Sequence, residues 1–267
     1  MKSSEKNIAS SLLHEVEILD ETCIQSLALE DVLAIHVKNF IPRELVDCIA
    51  QKILTTEYEH YLNAPSIGRI GMAFYETERR PELLETYFKS ALKNINDLRK
   101  RCAPYASPID TLRCTLDEVW PAGANLESMY GRKMFIGLSR MVEPDVYFLA
   151  HHDIFAKDAP DSYKAHSLQS QFACNVYLDM PMNGGELQIW EKELTPQEFD
   201  DIRGKSYGVD PSLLGNPSLQ IKPEPGDLII FNSRKMHAVA PGIKTSRLSL
   251  SSFIGYRGQH QPLTYWS

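Results

Sequence analysis

From Lys133 onward the chain is written in short strand-like runs: M-F-I-G-L-S-R-M-V, V-Y-F-L-A-H-H-D, F-A-C-N-V-Y-L-D, E-L-Q-I-W, D-L-I-I-F-N and R-L-S-L-S-S-F. Turn sequences such as N-G-G (183–185) and P-G-D (225–227) separate them. Many short strands punctuated in this way predict a sandwich or a rolled antiparallel sheet. One longer connection, about 192–223, interrupts the series. Its Thr195-Pro196-Gln197-Glu198 cap signature predicts a short helix. The stretch Y-G-V-D-P-S-L-L-G-N-P then reads as a loop near an opening, placed to close over a ligand.

The first 125 residues have a different texture. Residues 1–20 read as a weakly ordered arm leading into a short amphipathic segment. D-V-L-A-I-H-V-K-N-F (31–40) reads as a strand whose His36 is structural. Leu45, Val46, Ile49, Ile53 and Leu54 recur at helical spacing after Pro42. Leu84, Phe88, Ala91, Ile95 and Leu98 give a helix from about Pro81 to Arg101 one apolar face. Ser107, Pro108 and Asp110 supply an N-cap, N1 and N3 for a further helix running to about Trp120. No linker or repeat divides the chain. We therefore expect one α+β domain over 1–267, with helical support over about 1–128 and a mainly β core over about 129–256.

Composition narrows the function classes. A net charge of -7 argues against a general nucleic-acid binder. The 5 cysteines are scattered without a C-x-x-C pair, which disfavours a structural zinc site and favours a reducing compartment. The opening M-K-S-S-E-K-N-I-A-S lacks the apolar stretch of a signal peptide, and no run is long enough to span a membrane. A cytoplasmic protein is expected, with no nucleic-acid or membrane partner. Its oligomeric state is not legible.

L-A-H-H-D (149–153) carries the first chemical signal. Residues i and i+2 share a face of a strand, so His151 and Asp153 point together and His152 points away. A facial iron site needs a second imidazole. His166 follows a turn-rich loop and His260 sits in a polar tail. His237 lies between D-L-I-I-F and A-V-A-P-G, the most structured setting of the three. Ten residues on, Arg247 shares a strand face with Ser249 and Ser251. A guanidinium and hydroxyls turned into a barrel need an anionic partner, and a carboxylate fits.

This ordered set resembles the iron(II)/2-oxoglutarate-dependent dioxygenases. Their pattern is H-x-D/E, a distant His, then an Arg or Lys. Here it reads His151-His152-Asp153, His237 and Arg247, supported by P-G-D-L-I-I-F (225–231), G-G-E-L (184–187) and R-L-S (247–249). The resemblance implies a double-stranded β-helix (jelly roll, cupin-like). It implies Fe(II) held by His151, Asp153 and His237, with 2-oxoglutarate and O2 as cosubstrates. Arg247 would anchor the far carboxylate of 2-oxoglutarate, with Ser249 assisting.

S-P-I-D, L-D-E-V-W-P-A-G-A-N-L and N-V-Y-L-D-M-P-x-N-G-G-E-L also resemble a small-molecule subgroup. It includes the hapalindole/welwitindolinone-type carrier-independent halogenases and related hydroxylases of amino acid derivatives. Those halogenases carry glycine at the carboxylate position, where this chain has Asp153, so hydroxylation is expected over halogenation. Asn175 would contact the C1 carboxylate or substrate, or satisfy a buried backbone group. In I-G-R-I-G-M-A-F-Y (67–75), Arg69, Met72, Phe74 and Tyr75 are candidates for a substrate wall, or else core and loop residues. The favoured substrate is a small molecule, an amino acid derivative or natural-product intermediate. A protein or peptide hydroxylase and a non-catalytic metal-binding jelly roll are the alternatives.

Overall fold

The computed structural model describes residues 12–61 and 64–267. Two mainly antiparallel sheets face each other, and the chain passes back and forth between them. The main sheet contains, side by side, Ala34–Val37, Leu228–Asn232, Ser170–Asp179, Arg247–Tyr256, Leu138–Val142 and Ala64–Ile70. The smaller sheet runs Leu219–Ile221, Leu187–Glu193, Lys235–Val239 and Phe148–His151. After Leu138–Val142 in the main sheet, Phe148–His151 falls in the smaller one, and successive segments keep crossing. This is the jelly roll that the family resemblance implies, and one form of the sandwich or rolled sheet that the strand runs predict.

The turn at Gly184 shows how tightly the crossings are held. Its φ is +76°, and a Cβ there would lie 1.9 Å from the Pro241 carbonyl oxygen. Only glycine fits both the backbone and the space.

Three helices brace the main sheet. Arg43–Leu54 buries Val46, Ile49, Ala50 and Ile53 and packs on Ser170–Asp179. Pro81–Cys102 buries Phe88, Ala91, Ile95 and Leu98, the stripe read from the sequence. Pro108–Val119 starts at Ser107, whose side chain accepts the Asp110 N–H. One apolar cluster runs from these helices into the sheets.

His36 is buried and pairs with the Asp227 carboxylate at 2.7 Å, fastening the N-terminal strand to Leu228–Asn232. Burial pushes the Asp227 carboxyl up. Hydrogen bonds from His36 and from the Asn39 and Glu224 N–H groups outweigh it, so the carboxyl lies below its ordinary range.

The expected N-terminal arm needs correction. Residues 1–11 lie outside the described ones, but Leu13–Val16 is a strand, parallel to Ala34–Val37 at the sheet edge. Its L-H-E-V pattern carries no apolar alternation, and pairing with the neighbouring strand supplies the order instead. A second pair, Glu59–Tyr61 with Ala64–Ile70, extends the other edge.

The stretch read as an insertion holds the expected short helix, and also a helical turn, Pro211–Leu214, and the strand Leu219–Ile221. Pro196–Arg203 is a helix with a reciprocal cap between Thr195 and Glu198. Trp190 donates its indole N–H to the Gly215 carbonyl and packs with Leu194, Phe199, Val209 and Met236. The loop after the helix rejoins the barrel where Val209 bridges Ala150. No described helix is long and apolar enough to cross a membrane.

Candidate active site

Strand register brings the histidines together. His151 ends Phe148–His151 and stands directly opposite His237 in Lys235–Val239, with ring centroids 4.3 Å apart. Asp153 follows two residues later. Its N–H donates to the Ser233 carbonyl, which ties the strand end to the turn before His237. The Asp153 Oδ2 lies 3.9 Å from His151 Nε2 and 3.4 Å from His237 Nε2. One donor atom from each residue falls within 4.8 Å of the others.

The backbone also sets which ring atoms are free. His151 Nδ1 lies 2.8 Å from the Leu149 carbonyl oxygen, and His237 Nδ1 lies 3.0 Å from that of Lys235. A carbonyl oxygen can only accept, so each Nδ1 carries the proton and each Nε2 keeps its lone pair toward Asp153. Burial, and then the neighbouring His237, push His151 down to about 3, so it is neutral at physiological pH. Burial pushes Asp153 up, but His237, His151 and Arg140 outweigh it and hold a carboxylate well below the usual range. Two imidazoles and one carboxylate gathered on one side would suit Fe(II).

Arg247 enters the same chamber from the main sheet. It is buried, and among the described residues its Nε and Nη1 have no hydrogen-bond partner. The Ser249 and Ser251 hydroxyls on the same strand face are also unpartnered. Tyr177 lies beside the guanidinium, 5.8 Å from ring centroid to Cζ. Asn175 lines this inner chamber with the triad, Phe231 and Arg247. A buried cation and two hydroxyls without acceptors are costly unless an anion meets them. A dicarboxylate that also reaches the triad fits that need.

A model of the 2OG-Fe(II) oxygenase superfamily matches residues 136–255, which contain the three donors and Arg247. The core of the chain, residues 136–255, belongs to this superfamily. It is an enzyme of the Fe(II)/2-oxoglutarate dioxygenase class. Among curated proteins, it is 26% identical over 209 residues to L-gamma-glutamyl-L-propargylglycine hydroxylase of Streptantibioticus cattleyicolor, covering 75% of this chain and 74% of the relative. It is 29% identical over 126 residues to L-isoleucine 3(1)-dioxygenase of Pantoea ananatis, covering 45% and 42%. Its fold is similar to the crystal structure of an N-substituted L-amino acid dioxygenase from Burkholderia ambifaria AMMD, with a TM-score of 0.64 and 17% identity over 92% of this chain and 91% of that one.

Outside the triad the dioxygenase opens into a cavity of about 450 Å³. Its walls include Tyr61, Tyr75, Arg140, Phe148, Phe199 and Tyr207. His152 does point away from the triad, but not into solvent. It is buried against Phe199, with ring centroids 4.4 Å apart, and neither ring nitrogen has a partner among the described residues. Burial pushes it down to about 4, so the ring is neutral.

The proposed substrate wall at 67–75 needs correction at three of its four positions. Phe74 is core, packed edge-on against Tyr87, Phe88 and Phe155. Arg69 is held by Glu59 at 2.7 Å and Glu76 at 2.6 Å. Arg69 and Met72 line a separate surface cleft. Tyr75 alone of the four reaches the outer cavity. Phe74 and Tyr75 part because they lie in the short helical turn Phe74–Thr77, while Arg69, on the strand Ala64–Ile70, is held by its acidic partners.

Sequence reasoning missed Tyr61, Arg140 and Phe199, whereas Tyr207 begins the Y-G-V-D loop read as lying near an opening. Arg140 had a signal available: it is the only charged residue inside the strand L-S-R-M-V. Tyr61 and Phe199 come from segments whose placement depends on tertiary packing.

Proposed function

We propose that this dioxygenase hydroxylates an unactivated C–H bond of a free or N-substituted amino acid, with His151, Asp153 and His237 as the iron ligands and Arg247 as the 2-oxoglutarate anchor. The observation that carries the reading is the pairing of two opposed features in one chamber. Two imidazole Nε2 atoms and a carboxylate line it, and so do an unpartnered guanidinium and the unpartnered Ser251 hydroxyl. When bound, Fe(II) with 2-oxoglutarate and O2 supplies oxidative C–H hydroxylation, releasing succinate and CO2.

The chain's own residues do the positioning. The Leu149 and Lys235 carbonyls fix both imidazoles in the ligating tautomer. Arg247, with Ser249 and Ser251, holds the far carboxylate of 2-oxoglutarate through charge-assisted hydrogen bonds. Asn175 is a further polar contact for the cosubstrate. Phe148 and Phe231 flank His151 and His237, each with ring centroids 4.8 Å away, and exclude water from the reacting centre.

The substrate class rests on two supports. A cavity of about 450 Å³ suits an amino acid derivative better than a folded protein segment. The curated relatives named above act on an amino acid and a γ-glutamyl dipeptide. Asp153 supports hydroxylation within the small-molecule branch that also contains the halogenases, because the carboxylate fills the position a halide would need. Unpaired Cys23, Cys48, Cys102, Cys114 and Cys174 support a cytoplasmic setting. The test is succinate release across a panel of free, N-acyl and γ-glutamyl amino acids, with a mass gain of one oxygen in the product. Stimulation by short peptides alone would favour a peptide hydroxylase instead.

A further inference from the structure

Arg140 is a second buried arginine beside the triad, and the cosubstrate reading leaves it without work. It sits on Leu138–Val142 in the main sheet, in register with Ser249 on one side and Arg69 on the other. Its two cross-strand neighbours define its situation. Arg69 is neutralised by Glu59 and Glu76. Arg140 is 8% exposed, its Nε has no hydrogen-bond partner, and it forms no ion pair among the described residues. Asp153, the carboxylate of the triad, is committed between His151 and His237. A guanidinium is charged at any physiological pH, so burial without a partner is costly.

Its position is equally informative. Arg140 lines both the inner chamber and the outer cavity, so it stands at their junction. Phe148 walls it on one side, with its ring centroid 5.9 Å from the guanidinium carbon. Tyr61 and Tyr75 share the outer wall and stack on each other at 6.1 Å. The Tyr61 hydroxyl is buried without a partner among the described residues. Burial holds the Tyr75 phenol well above its ordinary range, so it stays a neutral donor. One cation and two phenolic O–H groups line one space, and of these the Arg140 Nε and the Tyr61 hydroxyl are buried without a hydrogen-bond partner among the described residues.

Building on the function proposed above, the geometry points to Arg140, Tyr61 and Tyr75 as the subsite that binds the substrate's carboxylate. The guanidinium takes the carboxylate through parallel hydrogen bonds, and the two phenols donate to its remaining lone pairs. A carboxylate fixed at the junction leaves the amino acid's side chain beside the triad. Its amino substituent then extends into the outer cavity, toward Phe199 and Tyr207. The subsite would thereby select free acids over amides and esters.

The test is calorimetric binding under argon to enzyme loaded with Fe(II) and 2-oxoglutarate, so that nothing turns over. The probes are L-isoleucine, N-acetyl-L-leucine and γ-L-glutamyl-L-norvaline, each against its C-terminal carboxamide. The wild type should bind acids about 30-fold more tightly than amides. Arg140→Gln should bring acid affinity down to the amide level, while 2-oxoglutarate affinity, read from its visible charge-transfer band, stays within about threefold. Tyr61→Phe and Tyr75→Phe keep the ring, so they test the subsite even where Arg140→Gln does not fold. Each should weaken acids about fivefold and leave amides unchanged.

Equal binding of acids and amides by the wild type would overturn the subsite alone. So would loss of 2-oxoglutarate affinity in Arg140→Gln as large as in Arg247→Ala, which would place a cosubstrate carboxylate on Arg140. If 2-oxoglutarate binds but no acid or amide does, the amino acid reading falls and takes the subsite with it.

Discussion

The inner chamber and the outer cavity meet at Arg140 but are made differently. Every polar group of the inner chamber stands on, or two residues beyond, a strand of one of the two sheets. His151 and His237 are cross-strand partners, and Arg247, Ser249 and Ser251 follow strand alternation. The outer cavity draws Tyr75 from a helical turn, Phe199 from the insertion helix and Tyr207 from the loop behind it. Ladder hydrogen bonds fix the first set, while packing of local segments places the second. The iron and cosubstrate groups therefore sit on the sheets, while Arg140 and Tyr61 on strands share the outer cavity with side chains carried by the connections.

This contrast can be broken by substitution. Asp153→Ala should remove turnover to the assay background for every substrate, with iron content falling in parallel. A variant that retained both would show that the carboxylate is not a ligand. Arg247→Ala should weaken 2-oxoglutarate binding by roughly 2–5 kcal/mol, whatever the substrate. Unchanged cosubstrate affinity would remove the anchor assignment.

Asp227→Asn tests the scaffold under both regions. The folded pKa of Asp227 lies below its ordinary value of 3.8, so its contribution is present above 3.8 and is lost as pH falls through the folded value. The variant should lose about 1.5–3 kcal/mol in urea melts at pH 7, and the gap to wild type should narrow below pH 3.8. A gap independent of pH would mean that the carboxylate charge contributes nothing. Phe199→Ala should raise substrate KM about tenfold and leave 2-oxoglutarate affinity alone, because Phe199 lines the outer cavity and not the inner chamber. A matching loss of cosubstrate affinity would erase the division between the two regions.

The same division explains what the sequence made legible. His151, Asp153, His237 and Arg247 could be read because strand alternation and a family-like order constrain them within short segments. The capped helices, including Pro108–Val119 and Pro196–Arg203, were legible because their start signals are local. The edge strand Leu13–Val16 was not, since its order comes from a partner about twenty residues away. Phe74 and Arg69 were misplaced because a helical turn and two acidic partners decide where they go. Arg140 was visible as a charge inside a strand, but its isolation appears only once Glu59 and Glu76 are seen to belong to Arg69.

The central claim is that the triad and Arg247 form one iron- and 2-oxoglutarate-binding chamber. Anaerobic titration of the purified protein with Fe(II) and then 2-oxoglutarate tests it most directly. The account predicts a weak visible charge-transfer band that saturates at one 2-oxoglutarate per chain and does not form in Asp153→Ala. Folded, iron-loaded wild-type protein that showed no such band would contradict it.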